Sequence, residues 1–226
     1  MLEGERGWVR GWRFWGLLSG LLVLRYLCHA LMLLPVLVHE AMPAPTLPDL
    51  VLARVPYLPL IARWNYVLWL LCYLPPAIWI GFRDRRLFLR LVVTDGILAL
   101  VRGLVVPLTG LGPVMGADVN ALHPFRLGPT WLAILDPVRA IGGNSAGLYL
   151  TKDLFFSGHI ATTFLLYLFA RRFGRVAWIF LALNLLTLAI VFLAHLHYTI
   201  DVIGAYAITF ALYRASEAWA ERLSIA

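Results

Sequence analysis

Residues Val176–Ala194 read VAWIFLALNLLTLAIVFLA, nineteen residues without one charged side chain, and their length decides the fold. At 1.5 Å per residue a helix of that run spans about 28 Å, close to the roughly 30 Å hydrocarbon core of a bilayer. In hydrocarbon every backbone amide must find an internal partner, so such a run is a helix unless it belongs to a closed barrel. Ten-residue alternating strands, the mark of a barrel, are missing from this chain. Working outward, five further apolar runs occur at Phe14–Val38, Trp64–Phe82, Leu87–Leu108, Leu154–Ala170 and Tyr198–Tyr213. The expected fold is all-α, an integral membrane bundle of six transmembrane helices.

Composition agrees. Hydrophobic residues are 62% of the 226 and charged ones 14%, against about 45–50% and about 25% in a soluble domain. A soluble enzyme is excluded. No Ser/Gly linker, heptad run or internal repeat separates a second module, so residues 1–226 read as one membrane-embedded domain. It divides into an interfacial segment 1–13, a core 14–213 and a tail 214–226. The first run is too long for a signal peptide and is expected to remain as an anchor. Trp8, Trp12 and Trp15 among Arg6, Arg10 and Arg13 suit an interface. Cys28 and Cys72 fall inside apolar runs, where neither a disulfide framework nor a four-ligand metal site is expected.

The net charge is +7, and eighteen of the nineteen basic residues are arginines, gathered at the ends of the runs. That distribution belongs to membrane interfaces, and no nucleic-acid partner is expected. With the N-terminus cytoplasmic, the inner segments hold Arg6, Arg10, Arg13, Arg83, Arg85, Arg86, Arg90, Arg171, Arg172, Arg175, Arg214 and Arg222. The outer segments hold only Arg54, Arg63, Arg126, Arg139 and Lys152. The bias predicts both termini inside. One lysine against eighteen arginines points to a GC-rich genome and a bacterial inner membrane. The outer connection Thr109–Thr151 is too long to be structureless. Within it Trp131, Leu132, Leu135, Val138 and Ile141 recur at helical spacing beside Asp136 and Arg139, which predicts an interfacial helix.

In this topology the titratable groups converge on the outer side. Asp153-Leu154-Phe155-Phe156-Ser157-Gly158-His159 sets a hydroxyl, a glycine and an imidazole at a helix N-terminus, where phosphate binds readily. Ser157 acting only as a cap is the alternative. His195-Leu196-His197-Tyr198-Thr199-Ile200-Asp201 puts His197 and Asp201 at i and i+4 of a helix starting near His197. The carboxylate then holds one ring nitrogen and leaves the other free. Three readings stay open: a structural His–Asp pair, a metal site from His159, His195, His197 and Asp201, and nucleophilic or general-base catalysis. Arg102 is a candidate phosphate clamp, or else an ion pair with Asp95 seven residues earlier. Arg25 and His29, at i and i+4, read as a helix-packing pair or else a proton-relay element, and Asn184 and Thr187 as interhelical hydrogen-bonders.

Ser157-Gly158-His159 preceded by Asp153, a span, a basic turn, a second span, and His197-Tyr198-Thr199-Ile200-Asp201-Val202 with Tyr206 beyond resemble the sphingomyelin synthase family. That family lies within the type 2 phosphatidic acid phosphatase superfamily. Val38-His39-Glu40 and Leu47-Pro48-Asp49 resemble its first outward loop, Arg85-Arg86 its inner turn, and Arg102 with Thr109 its third span. The resemblance runs from about Val38 to Tyr213. It implies a metal-free, cofactor-free triad of His159, His197 and Asp201 that moves a phospho-head-group from a membrane phospholipid to ceramide or a diacylglycerol-like acceptor through a phosphohistidine. Arg102, Ser157, Gly158, Asp153, Lys152, His195 and Tyr198 are the expected substrate contacts, and Asp153 either orients a histidine or caps the fourth helix. The implied site faces the exoplasmic or periplasmic side, and homo-oligomers are open. Thr151-Lys152 replaces the family's Cys-Gly, and Thr46 the first of its two prolines. Leu196 stands where the family carries an acidic residue, so the head group is open among choline, ethanolamine, glycerol and plain phosphate. A hydrolase with the same triad is the alternative, and a metal or proton transporter is the alternative of another class.

Overall fold

A computed structural model describes residues 11–116, 118, 127–136 and 150–222. Among them regular structure is entirely helical: α1 (Trp12–Glu40), α2 (Pro59–Arg83), α3 (Arg85–Thr109), α4 (Leu127–Leu135), α5 (Gly158–Ala170), α6 (Ala177–Leu193) and α7 (Thr199–Arg222), with 3-10 turns at Leu52–Arg54 and Arg171–Val176.

The helix boundaries follow from local chemistry. α2 opens on Pro59 behind an extended Leu58, a position where the missing N–H is not needed. Asp84 caps α3 by accepting from the Leu87 N–H at 2.9 Å, and Gly110 ends it at φ +60°, the left-handed conformation glycine adopts freely. Between α5 and α6 the chain leaves helical angles at Phe173 and Gly174, the latter at φ +61° and ψ −125°. α5 and α6 therefore return on each other.

Six helices occupy the six predicted stretches, yet four stretches are long and apolar enough to cross a membrane. They are Trp12–Glu40, Pro59–Arg83, Arg85–Thr109 and the continuous run Gly158–Leu193, with mean hydropathies of 2.1, 1.3, 2.0 and 2.6. The difference has two causes. α5 starts at Gly158, four residues after the predicted Leu154, and its thirteen residues rise only about 20 Å. α7 runs on past Tyr213 through Arg214, Glu217, Glu221 and Arg222, which lowers its apolarity. The helix predicted in the long outer connection is α4. Its Trp131 and Leu135 pack with Ile134 on Met32, Leu33, Val36 and Val106. Trp131 donates its indole N–H to the Ala30 carbonyl at 2.7 Å, so α4 is fastened to α1. Leu132 faces outward, and Val138, Arg139 and Ile141 lie outside the described residues.

The bundle is apolar outside and partly polar within. Leu22, Val23, Leu24, Leu27 and Leu31 of α1 and Trp178, Ile179, Leu185 and Leu186 of α6 are exposed, as a lipid-facing surface requires. Asn184, Thr187 and Thr209 are wholly buried. Asn184 of α6 donates to the Thr163 hydroxyl of α5 at 2.9 Å and accepts from the Tyr206 hydroxyl of α7 at 2.9 Å. That amide ties three helices. Thr187 bonds the Leu183 carbonyl of its own helix and, among the described residues, makes no interhelical bond of the kind predicted. Arg25 pairs with Asp95 of α3 at 2.6 Å, so the predicted Arg25–His29 pair and the Arg102–Asp95 pair are both replaced by one link between α1 and α3.

α1 and α3 approach most closely at Gly103. A Cβ there would stand 2.7 Å from the Met32 Cα, a distance only backbone movement can relieve. Gly103→Val is expected to lower the thermal unfolding midpoint in detergent by several degrees, corresponding to about 1–3 kcal/mol of overpacking. An unchanged midpoint would mean the two helices separate without cost.

Candidate functional site

Two short segments deliver the histidines. Ser157 caps α5, its hydroxyl oxygen facing the Ile160 N–H at 3.4 Å, and this aims His159 from the first turn of the helix. On the other segment Asp201, third residue of α7, reaches back to accept the Tyr198 N–H at 2.8 Å, as the acidic member of a capping box does. The Ser157 N–H donates to the Asp201 carbonyl at 3.2 Å and so joins the two segments directly.

Arg102 fixes the first segment from α3. Its Nε donates to the Phe156 carbonyl at 2.6 Å, Nη2 to the Asp153 carbonyl at 2.9 Å, and Nη1 meets the Asp153 carboxylate at 2.8–2.9 Å. Three of the five guanidinium N–H groups are thereby engaged. Asp153 is thus Arg102's counterion, not a helix cap or a histidine orienter as predicted. Gly158 lies against the same guanidinium, where a Cβ would stand 3.3 Å from Nε.

The His197 Nδ1 lies 3.5 Å from the Asp201 carboxylate, and both residues are buried. The centroids of the His197 and His159 rings are 6.2 Å apart, inclined at 63°. Among the described residues neither His159 Nε2 nor His197 Nδ1 has a hydrogen-bond partner. His159 also meets Trp69 edge to face at 5.3 Å. Both rings line one cavity of about 350 Å³, together with Arg102, Asp153, Gly158, Leu196, Trp69, Tyr66 and the Arg25–Asp95 pair with His29.

Of the predicted site residues, the fold brings His159, His197, Arg102, Asp153 and Gly158 to this cavity, with Asp201 behind His197. It turns others away. Lys152 is fully buried, its Nζ against the Asp118 carboxylate at 2.7 Å and the Met42 carbonyl at 2.6 Å. The Tyr198 hydroxyl accepts from the Leu47 N–H and faces the Gly112 and Pro113 carbonyls. His195 Nε2 sits 3.0 Å from the Val55 carbonyl, so the four-residue metal set does not assemble. Ser157 serves as the cap. These four are corrections to the predicted substrate contacts: Lys152, Tyr198 and His195 take partners in neighbouring loops, and Ser157 takes the first turn of its own helix.

Two carboxylates to which the sequence assigns no role, Glu40 at the end of α1 and Asp49 in the connection that follows, are latches. Glu40 accepts from the Thr151 N–H, the Thr151 hydroxyl and the Lys152 N–H at 2.6–2.8 Å. Asp49 accepts from the Thr199 N–H at 2.6 Å and the Thr199 hydroxyl at 2.9 Å, and from the N–H groups of Val51 and Leu52. Partial burial acts to raise its pKa, but the bonds from Thr199, Leu52 and Val51 prevail and hold it below the ordinary carboxylate value. The signal available in sequence was an acidic residue in an apolar loop; its partners are about 110 and 150 residues away.

Residues 152–218 match the PAP2 superfamily C-terminal family, a span that contains both histidine segments and Asp201. Over those residues the chain is similar to PAP2-superfamily proteins. The chain is also similar to human sphingomyelin synthase-related protein 1, to which it is 29% identical over 203 residues, covering 79% of this chain and 46% of that protein. The mouse protein of the same name is 29% identical over 196 residues, covering 79% and 40%. The chain spans less than half the length of these relatives.

The latches yield two expectations. Asp49 has a depressed folded pKa, so its contribution is present above the unfolded carboxylate value of about 3.9 and lost as pH falls through the lower folded value. Asp49→Asn should lower stability by about 1 kcal/mol at neutral pH and flatten the acid limb of the unfolding midpoint. Arg102→Lys offers one ammonium to acceptors arranged for a planar fork. Its expected result is at least tenfold lower turnover with the helical signal intact, and equal turnover would show that the fork is dispensable.

Proposed function

We propose that the chain is a lipid phosphotransferase that moves a phospho-head-group from a glycerophospholipid to ceramide or a related lipid alcohol, with His197 as nucleophile. The observation that carries the reading is the placement of His197, backed by Asp201, across one cavity from His159. The PAP2 match and the sphingomyelin synthase-like relatives support phosphate chemistry on lipids at this site.

In this scheme the Nε2 of His197 attacks phosphorus while Asp201 faces Nδ1, where it favours the tautomer that leaves Nε2 unprotonated and steadies the charge that forms. The bond from phosphorus to the diacylglycerol oxygen breaks, and protonated His159 gives that oxygen its proton. His159, now neutral, takes the proton of the acceptor hydroxyl, whose oxygen attacks phosphorus and releases His197. Each proton transfer is worth about 10²–10⁴ in rate. The two N–H groups Arg102 has left over are available to phosphoryl oxygens. Water as acceptor gives hydrolysis, the second reading, which the superfamily's phosphatase chemistry favours.

The reading includes a topology: six membrane crossings, both termini on the inner side, and the histidines at the outer leaflet. The arginine distribution supports it. The apolar α5–α6 run, folded back at Gly174, supports two crossings where a straight 36-residue helix would give one.

The test is purified, EDTA-treated protein in detergent with fluorescent ceramide, fluorescent diacylglycerol and phosphatidylcholine, phosphatidylethanolamine and phosphatidylglycerol as donors. Thin-layer chromatography and mass spectrometry read the products. A new labelled phospho-head-group lipid is expected, and diacylglycerol with a free phospho-head-group would assign hydrolysis instead. His197→Ala, His159→Ala and Asp201→Asn should each abolish turnover without loss of helix. Retained activity in His197→Ala overturns the covalent route.

A further inference from the structure

The inner end of the cavity is polar in a way the triad does not use. Asp95 lies seven residues before Arg102 on α3, about 10 Å deeper along the helix. Its Oδ2 takes the Arg25 Nε at 2.6 Å and the Tyr73 hydroxyl at 3.3 Å. Its Oδ1 is buried and, among the described residues, has no hydrogen-bond partner, although the side chain lines the cavity at 3% exposure. A buried carboxylate oxygen without a donor is costly, and a ligand that brings one relieves the cost.

Resting on the phospho-head-group reading above, we propose that Asp95 is the head-group-reading residue of this site. With phosphorus between the histidines, the far end of the head group extends toward Asp95, and Oδ1 accepts a hydrogen bond from an N–H or O–H there. The substrate class follows: head groups ending in a protonated amine or a hydroxyl are taken, and a quaternary ammonium is rejected. A trimethylammonium has no hydrogen to donate and would seal Oδ1 away from any other donor. The Asp153 carboxylate in the lining is already paired with Arg102. The Asp95 charge is already matched by Arg25, Leu196 supplies none beside His197, and Trp69 is stacked on Tyr73 with its indole N–H given to Thr162. Asp95 holds the head group and takes no part in bond making, so it is a specificity residue.

The experiment uses the full chain and phospholipids of identical acyl chains whose head groups are ethanolamine, N-methyl-, N,N-dimethyl- and N,N,N-trimethylethanolamine, and glycerol. Turnover is followed by mass spectrometry. In parallel, binding of the short-chain forms to His197→Ala is followed by thermal shift. The expected result is comparable kcat/KM through the dimethyl lipid and a drop of roughly tenfold to a hundredfold at the third methyl. The glycerol arm separates hydroxyl from ammonium recognition. Asp95→Asn, which turns an amide N–H toward the cavity in place of an acceptor, should erase that step. Asp95→Glu, which keeps a carboxylate for Arg25 but displaces the oxygen, should shrink it and stands in if the asparagine variant does not fold.

A decline spread evenly over the three methyls, or a step retained in the Asp95 variants, overturns the proposal while leaving the lipid chemistry standing. A step in binding with no turnover of any lipid supports Asp95 as the reader and overturns the transfer reading. Neither turnover nor selective binding overturns both.

Discussion

The guanidinium of Arg102 is the group on which the site depends. A buried cation is tolerable only when it is paired and hydrogen-bonded, and Arg102 gives three of its donors to the Asp153 carboxylate and the carbonyls of Asp153 and Phe156. That requirement draws the chain ahead of α5 against α3 and sets the direction in which His159 enters. The Ser157 N–H then reaches the Asp201 carbonyl, so the same chain also positions the start of α7 and with it His197. Removing the fork would release a path of four contacts, not one.

Around that fork the end of α1 and the connection to α2 work as a brace. Glu40 grips the strand of chain that leads to Asp153, and Asp49 grips the first residue of α7. Each carboxylate satisfies backbone N–H groups that a helix start or a turn leaves without partners. The brace explains why several polar residues beside the histidines are absent from the cavity wall. Lys152 and Tyr198 are adjacent to site residues in sequence, but their polar atoms complete the loop. Among the described residues, the buried polar atoms without a hydrogen-bond partner include His159 Nε2 and Asp95 Oδ1, whose side chains line the cavity.

The six helical stretches, the pairing of His197 with Asp201 and the cavity positions of Arg102 and His159 were legible in sequence. Each rests on a local rule: run length against bilayer thickness, i to i+4 spacing, and a small-residue N-terminus. The partners of Arg102 and Arg25 were not legible. Spacing along α3 offered Asp95 to Arg102, whereas Asp153 from the chain ahead of α5 and Arg25 from α1 take those charges instead. The same failure underlies Thr187, whose hydroxyl could bond its own helix as easily as a neighbour.

The sequence by itself determined that this chain is helical and membrane-embedded and that two histidine motifs and one aspartate carry its phosphate chemistry as an expectation. The first follows from composition and run length, and the expectation of phosphate chemistry follows from the resemblance that the histidine motifs bear to a known family; neither depends on how the helices meet. The tertiary structure alone decided which buried charges share a partner, that Glu40 and Asp49 are latches, that Lys152, His195 and Tyr198 are turned from the cavity, and that Asp95 keeps an open oxygen within it. Charge pairing across 50 to 150 residues is set by distance in three dimensions, and a linear pattern holds no measure of that distance.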